Sequence, residues 1–381
     1  MKSILTCLKT AGIYLLCALC FVSCAKPSAA DDIAPAASPT PKPEVKANAP
    51  INVSGTLIGF VVPKAADEAL YLAMHGFLRT AENLGYPAKL FRAAQGIASV
   101  AMVEQAAREG CAGLLVWDEN GTNAAAIKRA NELSIPVVVP YYKSSEEGVL
   151  ANPQADLLGY TEEVALSLAQ RMQERECKAG KILVYGTSPE AAYGGFVEAV
   201  AAYYPQFNVA YFKCSNVDEQ AAVDELAEHI LWNRDIKGLF CTDRNGARIA
   251  VRARQAAQNL FKRNGAPEAK ATPKIVEAAA ETPLPSATPV PEGLIKSIVI
   301  TVAGYGFNED TISLLRKNDI NALVLEPYYD ASAHAVMLLD RILNGQSVSA
   351  SSTLNMPIVR LATLEKYELI YNQAKEWFGL N

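Results

Sequence analysis

The sequence predicts an α/β protein of two doubly wound parallel-sheet lobes, preceded by an export signal and a Pro/Ala-rich linker. Three observations carry this expectation. Short apolar runs alternate with longer stretches of helical spacing, the signature of parallel strands joined by crossover helices. The alternation restarts at about residue 157, giving two similar halves. Of 381 residues, 50% are hydrophobic, and the roughly 325 that follow the linker suit two domains with sizeable cores.

Residues 1–23 combine Lys2 and Lys9 with an apolar core over 11–22 and small residues after it, which reads as a secretory signal rather than a membrane span. The following FVSC resembles the lipobox of bacterial lipoproteins, which implies that Cys24 is lipidated and anchors the chain. Phe21 stands where that motif usually has Leu, and Ser28-Ala29-Ala30 offers an ordinary signal peptidase a site giving a soluble product. Residues 24–54 are otherwise rich in Ala and Pro and nearly free of large apolar side chains, so they form a tether that buries no core. About thirty such residues have a root-mean-square span of roughly 30 Å.

In the first half, strands are expected at 56–62 (TLIGFVV), 88–91, 112–117 and 136–139. Helices are expected at 67–84, 100–108 and 123–133. Leu70, Met74, Phe77 and Leu78 share one face of the first helix, and Gly85 stops it. In the second half, helices at 157–174, 191–204, 217–232 and 247–261 alternate with strands at 181–185, 208–212 and 238–241. A Pro/Ala-rich stretch without apolar periodicity, 262–293, reads as an exposed insertion loop. Strand 297–302, helix 308–317, strand 322–325 and helix 331–343 follow, then a strand-like 357–361 and an amphipathic tail at 364–378.

Composition and motifs exclude several function classes. A net charge of −5 with no long basic run gives no support to nucleic-acid or anionic-lipid binding. Cys111, Cys177, Cys214 and Cys241 are widely spaced without C-x-x-C, so neither zinc nor an essential disulfide is expected, and Cys111 and Cys241 read as small buried hydrophobes. There is no G-x-S-x-G, H-E-x-x-H, P-loop or G-x-G-x-x-G, and Gly304-Tyr305-Gly306 reads as a turn. His75, His229 and His334 show no metal or triad spacing. No enzyme, cofactor or metal is expected.

Open parallel sheets collect ligands outside the carboxyl ends of their strands. The candidates are therefore Lys64 and Asp67 after the first strand, Trp117 and Asp118 after the third, and Tyr141 and Tyr142 after the fourth. In the second half they are Thr187 to Tyr193, Thr242, Asp243, Tyr305 and Glu326. Aromatic faces stack on sugar rings while carboxylates and amides bond their hydroxyls, and a nucleoside suits the same set. Tyr141, Tyr193 and Tyr305 serve equally well as hinge and rim packing, and Trp117 as a cap on the sheet.

The runs IGFVVP, HGFLRTAENLGY, EGCAGLLVWDENGTNAAAIKRANELSIPVVV and PYYDASAHAVMLLDRILNGQSV, in this order, resemble the type I periplasmic solute-binding proteins of the ribose and galactose group, related to the ligand-binding core of LacI-type repressors. The likeness covers about residues 56–364. It implies two lobes joined by a three-strand hinge, with crossings near 142–153, 326–327 and 352–357. The lobes are then 55–148 plus 327–352, and 149–326 plus 353–381. It further implies an extracytoplasmic monomer that closes on a small molecule and docks on an ABC permease or a membrane sensor.

Against the ribose-binding pattern, the chain has Ala69 and Leu70 where an aromatic pair follows the first strand, Tyr141-Tyr142 in place of Asp-Arg, and Ala192 in place of Arg. Thr242 replaces the usual Asn, while Asp243 matches an acidic position. Without those aromatic and arginine contacts, either the ligand differs from a standard sugar or sugar binding has given way to a sensing or envelope-interaction role.

Overall fold

The computed structural model describes residues 55–93, 97–156, 159–215, 218–264 and 298–380. The signal, Cys24 and the linker lie outside these residues, as does the insertion from 265 onward; residues 262–264 close a helix instead.

Strand β1 (Ile58–Pro63) reads IGFVVP and is buried at every position, as a strand covered on both faces must be. The chain continues through α1 (Glu68–Leu84), β2 (Ala88–Ala93), α2 (Ile97–Arg108), β3 (Gly113–Val116), α3 (Ala124–Glu132), β4 (Val137–Val138) and β5 (Val149–Ala155). The second half adds α4 (Gly159–Glu174), β6 (Gly180–Gly186), α5 (Glu190–Tyr203), β7 (Phe207–Lys213), α6 (Glu219–Trp232), β8 (Ile236–Cys241) and α7 (Gly246–Asn264). Then come β9 (Thr301–Tyr305), α8 (Glu309–Arg316), β10 (Ala322–Val324), α9 (Tyr328–Leu343), β11 (Ser351–Leu354), β12 (Ile358–Val359) and α10 (Leu364–Phe378).

Two six-stranded sheets result, in the orders β11-β5-β4-β3-β1-β2 and β12-β10-β9-β8-β6-β7. Every pairing in the first is parallel, and in the second only β10 with β12 is antiparallel. Both sheets reverse their strand order once, between β1 and β3 and between β6 and β8. The crevices that open at those two places face the candidate residues.

The expected two-lobe α/β architecture is present, with two boundaries to correct. Thr353 and Leu354, expected in the second lobe, belong to β11 of the first sheet. Val149–Ala155 was expected to open the second lobe, but it forms β5, paired with β4 and β11 in the first sheet. The first crossing therefore comes after Ala155. Pro153 brings no N–H to the sheet, but its carbonyl accepts from Tyr141 N at 2.8 Å. The crossings are stitched to each other: Asp156 N donates to Leu354 O at 2.7 Å, and Leu325 N to Pro357 O at 2.9 Å.

Helix α1 begins where Asp67 accepts from Leu70 N at 3.0 Å, and ends at Gly85, whose φ of +81° suits a residue without Cβ. It packs closely on α9: a Cβ at Gly76 would sit 2.3 Å from the carbonyl oxygen of Tyr329. Helix α9 starts at Tyr328, directly after Pro327 and three residues earlier than its periodicity predicts. Among the described residues no two cysteines form a disulfide; Cys111 and Cys241 are buried, and burial pushes the Cys111 thiol up to about 11.

Candidate functional site

The hinge carries a buried carboxylate. Glu326 lies between β10 and α9, with its side chain 10% exposed. It accepts from Tyr141 Oη at 3.1 Å, Tyr305 Oη at 3.3 Å and Tyr328 Oη at 2.5 Å. Opposite stands Arg244, which follows β8; its Nε donates to Glu326 Oε2 at 3.0 Å and its Nη2 to Oε1 at 3.4 Å. Arg244 Nη2 also bonds the Tyr328 hydroxyl, and the guanidinium lies 5.6 Å from the centre of that ring.

Burial first, and the Glu326 charge second, raise the pKa of Tyr141, Tyr305 and Tyr328 well above the ordinary phenol, and push Tyr160 up to about 12. All four phenols stay neutral, and Tyr141, Tyr305 and Tyr328 donate to the carboxylate. For Arg244, burial acts to lower the pKa, but Glu326 and its neighbours outweigh this and the guanidinium remains charged.

Tyr141 is held in an uncommon backbone shape, with φ of +67°. Tyr142 N donates to Pro140 O at 2.8 Å, so Tyr141 is the middle of a γ-turn, a strained geometry for a bulky residue. The turn aims its hydroxyl at Glu326 and sets its ring 4.2 Å from that of Tyr328. The Tyr142 ring lies edge-on to Tyr141, with ring centres 4.9 Å apart, and edge-on to Trp117 at 5.0 Å.

Arg244 also crosses between lobes: its Nη1 lies 3.1 Å from Asp67 Oδ2, at the start of α1. A cavity of about 290 Å³ lies on one side of this ion pair, lined by Pro63, Leu70, Trp117, Glu119, Tyr142 and the pair itself. A second, of about 510 Å³, lies on the other side, walled by Glu68, Tyr71, Glu309, Tyr371, Lys375 and again Asp67 and Arg244. Burial, then the charge of Glu119, raise the pKa of Tyr142, so the inner chamber presents a neutral phenol beside a carboxylate.

The structure brings Asp67, Trp117 and Tyr142 together around the inner chamber, and Tyr141, Tyr305 and Glu326 together behind it. Lys64 is exposed, tied by its backbone to Ala93 O at 2.7 Å, and does not line the chamber. Tyr193 packs on Tyr211, with its hydroxyl 3.2 Å from Val209 O, turned toward β7. Asp118 is fully buried and holds Asn123 N at 2.8 Å. Thr242 Oγ1 reaches Tyr185 O at 3.3 Å, and Asp243 accepts from Thr187 N at 2.8 Å and Thr187 Oγ1 at 3.1 Å. Those two shape the loop that delivers Arg244.

The sequence pattern does not single out Arg244, Tyr328 or Tyr160. Arg244 falls one residue past the last candidate after β8, so the carboxyl-end rule carried one position further finds it. Tyr328 was hidden by the late helix start. The cleft therefore does hold an arginine and aromatic rings, supplied from positions other than those of the ribose-binding pattern.

Two lobes with parallel sheets, crossed three times by the chain and facing each other over a polar and aromatic cleft, define a bilobal binding protein. The chain belongs to the periplasmic binding protein family, whose model, the periplasmic binding protein domain, matches residues 58–347. Binding rather than catalysis is that family's activity, and its place is outside the cytoplasm.

Among solved structures, a periplasmic ribose ABC transporter protein from Conexibacter woesei is 15% identical, with a TM-score of 0.62, covering 83% of this chain and 96% of its own. An arabinose-binding protein from Geobacillus stearothermophilus is 16% identical, with a TM-score of 0.61, covering 82% and 99%. A solute-binding protein from Actinobacillus succinogenes with bound D-allose is 15% identical, with a TM-score of 0.57, covering 82% and 100%. At such identities these share the fold. No curated protein matches the sequence.

Proposed function

We propose that this chain is an extracytoplasmic solute-binding lipoprotein, anchored through Cys24, that closes on a small polar ligand of the sugar class and delivers it to an ABC transporter. The inner chamber carries this reading. Its volume of about 290 Å³ is close to the lower limit of small-molecule sites. Tyr142, backed edge-on by the buried Trp117, offers an aromatic ring for the apolar side of a sugar, and Asp67, Glu119 and Arg244 offer acceptors and donors for its hydroxyls. Asp67 belongs to the first lobe and Arg244 to the second, so a ligand touching both gains its contacts only when the lobes close. The related structures are described as an arabinose-binding protein, a solute-binding protein with bound D-allose and a periplasmic ribose ABC transporter protein, which supports the same class here.

A second reading, a sensor or envelope-interaction protein on the same fold, draws on one observation. Arg244, Glu326 and the hydroxyls of Tyr141, Tyr305 and Tyr328 satisfy one another, leaving few of their donors for a guest. Melting temperatures against pentoses, hexoses and purine nucleosides separate the two. A ligand at one hundred times its Kd stabilises by about 2.7 kcal/mol, so one sugar class raising the melting point supports transport. No shift with any of them, and no small molecule retained on native mass spectrometry, supports the second reading.

A further inference from the structure

Helix α10 lies beyond residues 58–347, the span matched by the family model, and it touches both lobes. Its first turn is rooted in the second: it follows β12, Leu364 is buried, and Arg360 just before it donates to Ser167 Oγ on α4 at 3.0 Å. Along that side, Arg316 Nη2 holds both oxygens of Glu368, at 2.6 and 2.7 Å, and Phe307 meets Tyr371 edge-on with ring centres 5.8 Å apart. Lys375 pairs with Glu309.

Its last two turns reach α1 of the first lobe. Tyr371 Oη donates to Glu68 Oε1 at 2.6 Å, and the Phe378 ring lies 5.2 Å from Tyr71. Trp377 packs against His75 at 5.6 Å and receives the Arg79 guanidinium at 5.8 Å. The same stretch forms one wall of the outer chamber, through Tyr371, Lys375 and Leu380, opposite Asp67 and Arg244.

We propose that α10 is an arm of the second lobe that grips α1, closes the outer side of the cleft and is part of the ligand site. The lobes cannot separate while both ends of α10 stay attached, so opening requires one end to let go. The covalent root and buried Leu364 fix the N-terminal end to the second lobe. The α1 contacts at Tyr371, Trp377 and Phe378 are the ones that release. The arm thus sets the rate at which the cleft opens, and Tyr371 and Lys375 face whatever occupies the outer chamber. Its role in admitting a ligand rests on the solute-binding reading; its role as an interlobe clasp does not.

The test is hydrogen exchange read by mass spectrometry on the full chain, with no added ligand. In the double variant Trp377→Ala/Phe378→Ala, backbone amides of residues 65–72 and 242–246 exchange at least about fivefold faster than in wild type, because the cleft opens more often. Leu369→Ala, on the exposed face of α10, leaves those rates unchanged. The proposal is overturned if α10 exchanges faster in the double variant while both cleft segments keep wild-type rates. Should that variant not fold, Tyr371→Phe removes only the hydroxyl bond to Glu68, and about a twofold increase in the same segments is expected; wild-type rates there likewise overturn it. Because the readout uses no ligand, a failure here is distinct from a failure of the sugar reading.

Discussion

Arg244 of the second lobe holds Glu326 at the hinge crossing with two hydrogen bonds, Nε to Oε2 at 3.0 Å and Nη2 to Oε1 at 3.4 Å. The same guanidinium reaches Asp67 on the first lobe at 3.1 Å. Hinge, cleft and both lobes thus meet at one side chain, and a charge change there reaches all of them.

Removing one partner of this pair strands the other. Arg244→Met leaves a buried carboxylate with tyrosine donors alone, and is expected to cost about 1–3 kcal/mol in urea unfolding. Glu326→Gln costs a similar amount. The double variant loses less than the sum, because neither charge remains uncompensated. Additive losses would mean the two residues do not act as a pair.

Tyr141 stores backbone strain that its ring contacts and its hydroxyl bond to Glu326 offset. Tyr141→Phe keeps the strain and loses the bond, so a destabilisation of about 0.5–1.5 kcal/mol is expected from thermal or urea melts. A neutral result would place the hydroxyl outside the hinge energetics.

His229 is buried against Phe212, with ring centres 4.2 Å apart. Burial, then the charge of Lys181, lower its pKa from 6.5 to about 4. Above pH 6.5 both folded and unfolded states hold it neutral. As pH falls from 6.5 toward 4 only the unfolded state takes up the proton, so stability drops, by on the order of 3 kcal/mol across that window. His229→Phe, which keeps the stack, should flatten the stability–pH slope there by about one proton. An unchanged slope in the variant would assign the acid sensitivity elsewhere.

The chamber's charge should sort ligands. Asp67 and Glu119 line it with a single guanidinium, which Glu326 already neutralises from behind. A hexuronate should therefore raise the melting temperature less than the parent neutral hexose. A stronger response to the uronate would show that Arg244 is released to the ligand on binding.

The parts visible in the sequence are those that depend on near neighbours. The unbroken apolar run of IGFVVP announces a strand covered on both faces, and Asp67 before a periodic stretch announces a helix start. The carboxyl-end rule brought Asp67, Trp117 and Tyr142 to one chamber. It also selected Tyr193, because the rule gives a loop's position but not the direction of each side chain on the helix that follows. What stayed hidden is long-range. Tyr141 and Glu326 are 185 positions apart, and Arg244 and Glu326 are 82 apart, so no local pattern links them. Strand β5 is invisible locally because it is held by β4 and by the distant β11, where Ser351 lies opposite Asn152.

The most direct test of the account is a calorimetric titration of the chain with ribose, arabinose, allose, glucose and galactose, repeated on Trp117→Ala. Sugar binding in this chamber predicts saturable one-to-one binding of at least one sugar by the wild type, weakened at least about tenfold in the variant, because Trp117 lines the chamber and holds the Tyr142 ring edge-on. Equal affinity in the variant would move the site away from the chamber, and no heat from any of the sugars would contradict sugar binding by this cleft.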